Sequence, residues 1–213
     1  MRTLTLFCIL MMGCPTTHAQ QEVIVDRTTE LMTVSRNECN EDKPIIIDSV
    51  ELENIHPIIR SLRKCIEEDE HATAFVSGSG GAPEDAMTFF DFIRTEGLSK
   101  DLTFIASGNI ASASNIVWLA AETRIVLPSS MFLLHEATWY LCNEDLQVRA
   151  QSTKHLINST TLAVRLATGN PLSADRWNDI IQSNQAGVML NAEEALEWGW
   201  ATEIREYKDT PEN

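Results

Sequence analysis

Three short segments carry side chains and backbone patterns suited to acyl-transfer chemistry. The run Ala106-Ser107-Gly108-Asn109-Ile110-Ala111-Ser112-Ala113-Ser114 reads as the end of a strand, a glycine break and the start of a helix near a serine. A hydroxyl at a helix N-terminus meets unpaired N–H groups and the positive end of the helix dipole, which favour a developing anion. A nucleophilic serine needs such a placement. The same pattern also describes Ser112 or Ser114 acting only as a helix cap. Gly78-Ser79-Gly80-Gly81 follows a second strand. Paired glycines let backbone N–H groups approach an oxyanion or an extended peptide without a Cβ in the way, although an ordinary strand-to-helix turn looks alike. No Gly-Lys-Ser/Thr follows, so this is not a phosphate loop. His135 closes the apolar strand Phe132-Leu133-Leu134-His135. A lone histidine there serves equally as a satisfied structural residue. As a general base it must come within hydrogen-bond reach of a hydroxyl.

The elements that position these groups follow from hydrophobic periodicity. Strands are expected at 44–47, 72–77, 102–106 (broken by Gly108), 124–127 and 131–135. Helices are expected at 55–68, from Pro83 to Gly97, at 111–121, 144–168, 173–183 and 192–198. In the long helix Leu146, Ala150, Leu156, Leu162 and Leu166 read as the apolar side. Alternating strands and helices make an α/β fold with a mostly parallel sheet and crossover helices, and the serine, the glycine pair and the histidine fall at one end of it. Val23-Ile24-Val25 is a further candidate strand.

Arg2, the apolar run Leu6 to Met12 and the small residues around Thr17-His18-Ala19 have the layout of a secretory signal, with cleavage expected after Ala19. A buried N-terminal helix and a lipoprotein anchor at Cys14 are the alternatives. Residues 20–43 form a polar N-terminal extension, 44–206 one domain, and 207–213 a charged, disordered tail. No later segment has the roughly 18 apolar residues of a membrane span. The whole chain has 16 basic and 31 acidic side chains. Without residues 1–19 it keeps 15 basic against 31 acidic, a charge of −16, which repels nucleic acid and anionic membranes. Cleavage leaves Cys39, Cys65 and Cys142. In an exported protein Cys39 and Cys65 can close a loop around the first strand, or the three remain partly buried thiols. No spacing favours a zinc site, and the run Glu67-Glu68-Asp69-Glu70 reads as a solvated helix end rather than a metal site. Tryptophans 118, 139, 177, 198 and 200 read as core and interface anchors.

Four motifs, in order and at matching spacing, resemble the Clp protease proteolytic subunit and the wider ClpP/crotonase superfamily over Thr73 to Thr202. Ser77-Gly78-Ser79-Gly80-Gly81 stands where that family has Asn-Ser-Pro-Gly-Gly. Gly108-Asn109-Ile110-Ala111-Ser112-Ala113 is similar to its Gly-x-Ala-Ala-Ser-Met turn. Leu127-Pro128-Ser129-Ser130-Met131-Phe132-Leu133-Leu134-His135 matches Leu-Pro-Asn-Ser-Arg-x-x-x-His, with Ser129 for the Asn and Met131 for the Arg. Leu190-Asn191-Ala192-Glu193-Glu194-Ala195-Leu196-Glu197-Trp198-Gly199 resembles Leu-Ser-Ala-x-Glu-Ala-x-Glu-Tyr-Gly. The Ala-Ser-Ala core together with a signal peptide looks closest to the exported, periplasmic branch.

The resemblance implies a ClpP/crotonase-like fold with a protruding handle helix at 144–168 that packs subunits together. It implies Ser112 as nucleophile, His135 as base, and an oxyanion hole from the N–H groups of Gly80 or Gly81 and Ala113. Ser114 is the fallback nucleophile. It also implies a polypeptide substrate, homo-oligomers, and no cofactor or metal. The family's third member, an Asp, falls on Gly187. Asn184 or Asp179 takes its place after a local shift, or the site is a dyad, or it is inactive. Glu136 lies on the wrong strand face to orient His135, and Asn184 is otherwise a helix-terminal residue. Three functions follow: an exported serine hydrolase working through an acyl-enzyme; a binding or assembly module without efficient chemistry; and acyl-CoA chemistry of the crotonase kind. The last is disfavoured by export, by the negative charge and by the presence of a Ser–His pair it does not require.

Overall fold

The structure is a computed structural model, described here for residues 45–48, 50, 52–135, 146–182 and 187–207, with the side chains of 52–53 and 146–149 left out. The expected signal, the N-terminal extension, Val23-Ile24-Val25, Glu136, Trp139, Cys142, Asn184 and residues 208–213 lie outside the described residues.

Six α-helices and seven strands follow one another along the described chain, with a short 3-10 helix at Leu98–Asp101: β1 Ile45–Ile47, α1 Leu52–Asp69, β2 Ala72–Gly78, α2 Pro83–Thr95, β3 Leu102–Ala111, α3 Ser114–Trp118, β4 Thr123–Val126, β5 Met131–Leu134, α4 Leu146–Thr168, α5 Pro171–Gln182, β6 Val188–Leu190, α6 Ala192–Glu197 and β7 Glu203–Ile204. The sheet runs β1-β2-β3-β4-β7, with β5 beside β3 and β6 beside β5. All pairings are parallel except β5 with β6. The expected parallel α/β fold with crossover helices is therefore present.

Local chemistry explains most of the elements. In α1 the buried residues Ile55, Ile58, Ile59, Leu62 and Cys65 recur at helical spacing. Its start lies three residues before the expected one, so Pro57 moves from the first turn to beyond it, at the cost of one backbone bond. Pro83 opens α2, where a missing N–H costs nothing. Asn191 and Glu194 form a reciprocal capping box at α6, with bonds of 2.9 Å in each direction. Rings of Phe89, Phe104, Trp118 and Phe132 run through the core with successive centroids 6.4, 6.5 and 5.5 Å apart. Trp118, Trp177 and Trp200 are buried, as expected of anchors.

Several expectations need correction. Gly108 does not end the third strand. β3 continues to Ala111 and changes neighbour: Thr103–Ile105 pair with β4 and Asn109–Ala111 with β5. Gly108, at φ +79°, lies between the two halves and supplies a backbone angle that other residues rarely adopt. The helix expected at 111–121 shrinks to Ser114–Trp118, because Ser112 has φ +53° and cannot be helical. In α4 the buried stripe is Leu156, Thr160, Ala163 and Val164, whereas Ala150, Leu162 and Leu166 are exposed. β6 and β7, of three and two residues, carry no periodic signal. Tyr207 belongs to the folded part rather than the tail, its hydroxyl 2.6 Å from Ser129 Oγ. Cys65 is not a free thiol: it is disulfide-bonded.

Candidate active site

The parallel register brings two strand ends together. Ala111 of β3 lies opposite Leu133 of β5, and the Ser112 N–H donates to the Leu133 carbonyl at 3.0 Å. Ser112 is thus the first residue past β3, and His135 the first past β5, at the same C-terminal edge. This is where open parallel sheets place ligands.

Ser112 is a non-glycine residue in left-handed conformation, which costs about 1–3 kcal/mol and persists only where neighbours over-determine it. Those neighbours are identifiable. The Ser112 carbonyl accepts from the Asn115 N–H at 3.1 Å and from Asn115 Nδ2 at 3.0 Å. Gly80 packs so closely that a Cβ added to it would stand 2.6 Å from Ser112 Cβ. Its φ of +110° independently requires glycine. A strand-like bridge holds the loop: the Val50 N–H donates to the Gly80 carbonyl at 3.3 Å, and the Ala82 N–H to the Val50 carbonyl at 2.9 Å. In such a bridge the central residue directs its own N–H to the opposite edge, so the Gly81 N–H faces away from Val50.

One cavity collects these groups. Gly81, Ser112, Ala113 and His135 line its polar side. Pro83 and Ile116, then Thr153, Leu156, Ile157 and Thr160 of α4, and Trp177 and Ile181 of α5 form the rest. The wall is braced by a Trp177 Nε1–H bond to Thr160 Oγ1 at 3.1 Å. The arrangement offers a hydroxyl, an imidazole and backbone donors beside an apolar recess.

Other candidates are not assembled there. Ser114 is 1% exposed, does not line the cavity and caps nothing: the cap position of α3 is Ala113, without a side-chain bond. Its hydroxyl has no hydrogen-bond partner among the described residues and packs toward Gly78. The cap explanation for either serine therefore fails, and so does Ser114 as fallback nucleophile. Asp179 is exposed, and on α5 it points away from Trp177 and Ile181, which face the cavity. Gly187 is pressed against the histidine strand. An added Cβ would lie 2.3 Å from the Leu134 carbonyl oxygen and 2.7 Å from His135 Cβ. This backbone leaves no room for an aspartate where the resemblance would put one.

Two residues absent from the sequence reading organise the surroundings. Asn115, a lone amide in an apolar helix, is fully buried and bonded on all sides. Its isolation among Ile116, Val117 and Trp118 was the available signal, since a buried amide needs partners. Arg124 is buried in β4 and donates to the carbonyls of Ala121, Ala167, Gly199 and Trp200. Desolvation holds its guanidinium down to about 10, helped by Arg94 and opposed by Glu122, so it stays charged at neutral pH. Its alternation within a strand looks like an exposed position, and only the facing carbonyls reveal otherwise. Among the described residues no group of three or more His, Cys, Asp or Glu is arranged to hold a metal, and no helix is long and apolar enough to cross a membrane.

The family model for Clp protease matches residues 25–208. The chain is 26% identical over 140 residues to the ATP-dependent Clp protease proteolytic subunit 3 of Rhizobium etli, covering 64% of this chain and 69% of that one. It is 29% identical over 143 residues to proteolytic subunit 2 of Pseudomonas aeruginosa, covering 64% and 66%. The solved structure of ClpP1 from Listeria monocytogenes superposes with a TM-score of 0.63 at 22% identity, over 78% of this chain and 92% of that one.

Proposed function

This chain belongs to the Clp protease family, and from that premise we propose that it is an exported serine peptidase working through a Ser112–His135 pair. Ser112 Oγ attacks the scissile carbonyl carbon while His135 accepts its proton. The N–H groups of Gly81 and Ala113 receive the oxyanion. His135 then hands the proton to the departing amine, and water, deprotonated by the same imidazole, releases the acyl group from Ser112. Gly80 contributes clearance, since only a residue without Cβ fits beside Ser112. The observation that carries this reading is the left-handed Ser112 sharing one cavity with His135 and Gly81.

Export rests on the signal-like residues 1–19 and is supported by the disulfide at Cys65, since disulfides persist in oxidising compartments. The substrate is polypeptide, by family and by the apolar recess beside the serine. Self-assembly through α4 is supported by its exposed Leu162 and Leu166, at 55% and 58%.

A second reading, a ClpP-like binding or assembly module with feeble chemistry, is favoured by Gly187. No side chain fits at that position, where the resemblance would put the family's Asp. One experiment separates the two. A fluorophosphonate probe is applied to the folded mature chain, to Ser112→Ala and to His135→Ala. Labelling confined to the parent chain supports the peptidase. Absence of labelling in the parent, or labelling that survives Ser112→Ala, eliminates it. N-terminal sequencing of the secreted protein, expected to begin at Gln20, tests export.

A further inference from the structure

Asn115 has no part in the chemistry above, yet its amide connects both halves of the site. It is 0% exposed, and a buried amide is tolerated only when its polar atoms are paired. Nδ2 donates to the Ser112 carbonyl and to the Leu133 carbonyl, each at 3.0 Å, with a longer approach of 3.5 Å to the Ile110 carbonyl. Oδ1 accepts from Trp200 Nε1–H at 3.1 Å. The partners dictate the amide's orientation. An indole N–H only donates and a carbonyl only accepts, so the flipped amide would face donor with donor and acceptor with acceptor.

The two carbonyls held at 3.0 Å belong to the two residues whose relative placement decides the site. One is on Ser112 itself. The other is on Leu133, two residues before His135 and already the acceptor of the Ser112 N–H. The amide thus bridges the strand end that carries the hydroxyl and the strand that carries the imidazole. Trp200 fixes it from behind, its own carbonyl anchored by Trp118 Nε1 at 2.8 Å and Arg124 Nε at 2.9 Å.

We infer that Asn115 is a positioning residue: clamped by the Trp200 indole, it locks the left-handed Ser112 turn onto the His135 strand. The inference rests on the Ser–His reading and adds to it the residue that sets the pair's geometry.

The test uses the mature chain with Asn115→Ala, Asn115→Asp and Trp200→Phe. Asn115→Asp keeps the shape but turns an acceptor toward two carbonyls. Trp200→Phe leaves the amide and removes its indole donor together with part of a buried ring, so it carries the test if the Asn115 variants fail to fold. For each folded variant the saturating rate of fluorophosphonate labelling and the probe's half-saturating concentration are measured separately. The saturating rate is expected to fall about 10- to 100-fold at Asn115, and less at Trp200, with half-saturation unchanged. A lower melting temperature with an unaltered saturating rate would mark Asn115 as merely structural and overturn the inference. If the parent chain does not label, the Ser–His reading fails on its own. Crystal structures of the parent and Trp200→Phe then decide the lock: a relaxed Ser112 φ or a wider separation from His135 supports it, and an unchanged turn refutes it.

Discussion

Two glycines define the site's tolerances more sharply than its polar residues do. Gly80 at φ +110° abuts Ser112 Cβ, so Gly80→Ala is expected to displace the hydroxyl and lower the labelling rate at least about 100-fold, since a misplacement near 1 Å suffices for that. Time-resolved labelling of the folded variant checks it. Gly187 meets the Leu134 carbonyl oxygen and His135 Cβ in its two nearest approaches, and neither is the far end of a flexible side chain. Gly187→Ala is therefore expected to destabilise the fold by about 1–3 kcal/mol, as overpacking does, measured by urea denaturation. Gly187→Asp is expected to do the same without raising the labelling rate. A gain in rate would show that the β5–β6 pair opens enough to admit a triad carboxylate. The serine, the histidine and the glycine pair were legible as candidates from the sequence, because they stand out as residue types at strand ends, and Ser112, His135 and Gly81 line one cavity. Asn115 was not, because an amide's role depends on which carbonyls surround it.

Elements meet at the divided strand β3. Its first half belongs with β4 and its second with β5, and that exchange of neighbours brings the strand that leads into His135 alongside the strand end that leads into Ser112. The turn between β4 and β5 is tied to β3 by Ser130, whose hydroxyl donates to the Ala106 carbonyl at 3.2 Å and accepts from the Leu127 N–H at 3.1 Å. Arg124 gathers the ends of α3, α4 and α6 around β4 through their carbonyls. Arg124→Met would leave these acceptors facing an apolar side chain, and a loss on the order of 3 kcal/mol is expected in chemical denaturation, the upper range for bonds to a charged donor. The α4–α5 pair builds the recess from Leu156, Ile157, Trp177 and Ile181. Peptides with a large aliphatic residue before the scissile bond are accordingly expected to be cleaved about 10- to 200-fold faster than those with a small one, in kcat/KM. In α4 the expected Leu156 is buried, but leucines 162 and 166, which look like an inward face, are exposed. The stripe that packs is completed instead by Thr160, Ala163 and Val164.

For the molecule as a whole, covalent and surface features decide how it behaves outside the site. Reduction of the Cys65 disulfide is expected to lower stability by about 2–4 kcal/mol, read as the difference between denaturation curves with and without dithiothreitol. The exposed Leu162 and Leu166 lie one turn apart on α4, within a strongly acidic chain. Replacing both with Glu is expected to shift sedimentation from an assembly toward a monomer while leaving the melting profile of the subunit near that of the parent. An unchanged sedimentation coefficient would remove α4 from the assembly surface.

Periodicity and glycine placement were enough to expect an α/β chain with a parallel sheet, and the resemblance of four motifs named Ser112, His135, Gly80, Gly81 and Ala113 as candidates. These signals are local: each depends on residues within one or two turns of chain. Tertiary structure alone decided that β3 exchanges partners at Gly108, that Gly187 has no space for a side chain, that Ser114 is buried, and that Asn115 and Arg124 are bonded in the interior. Each of those depends on backbone atoms brought together from distant parts of the chain, and a carbonyl carries no mark in the sequence of what will come to face it.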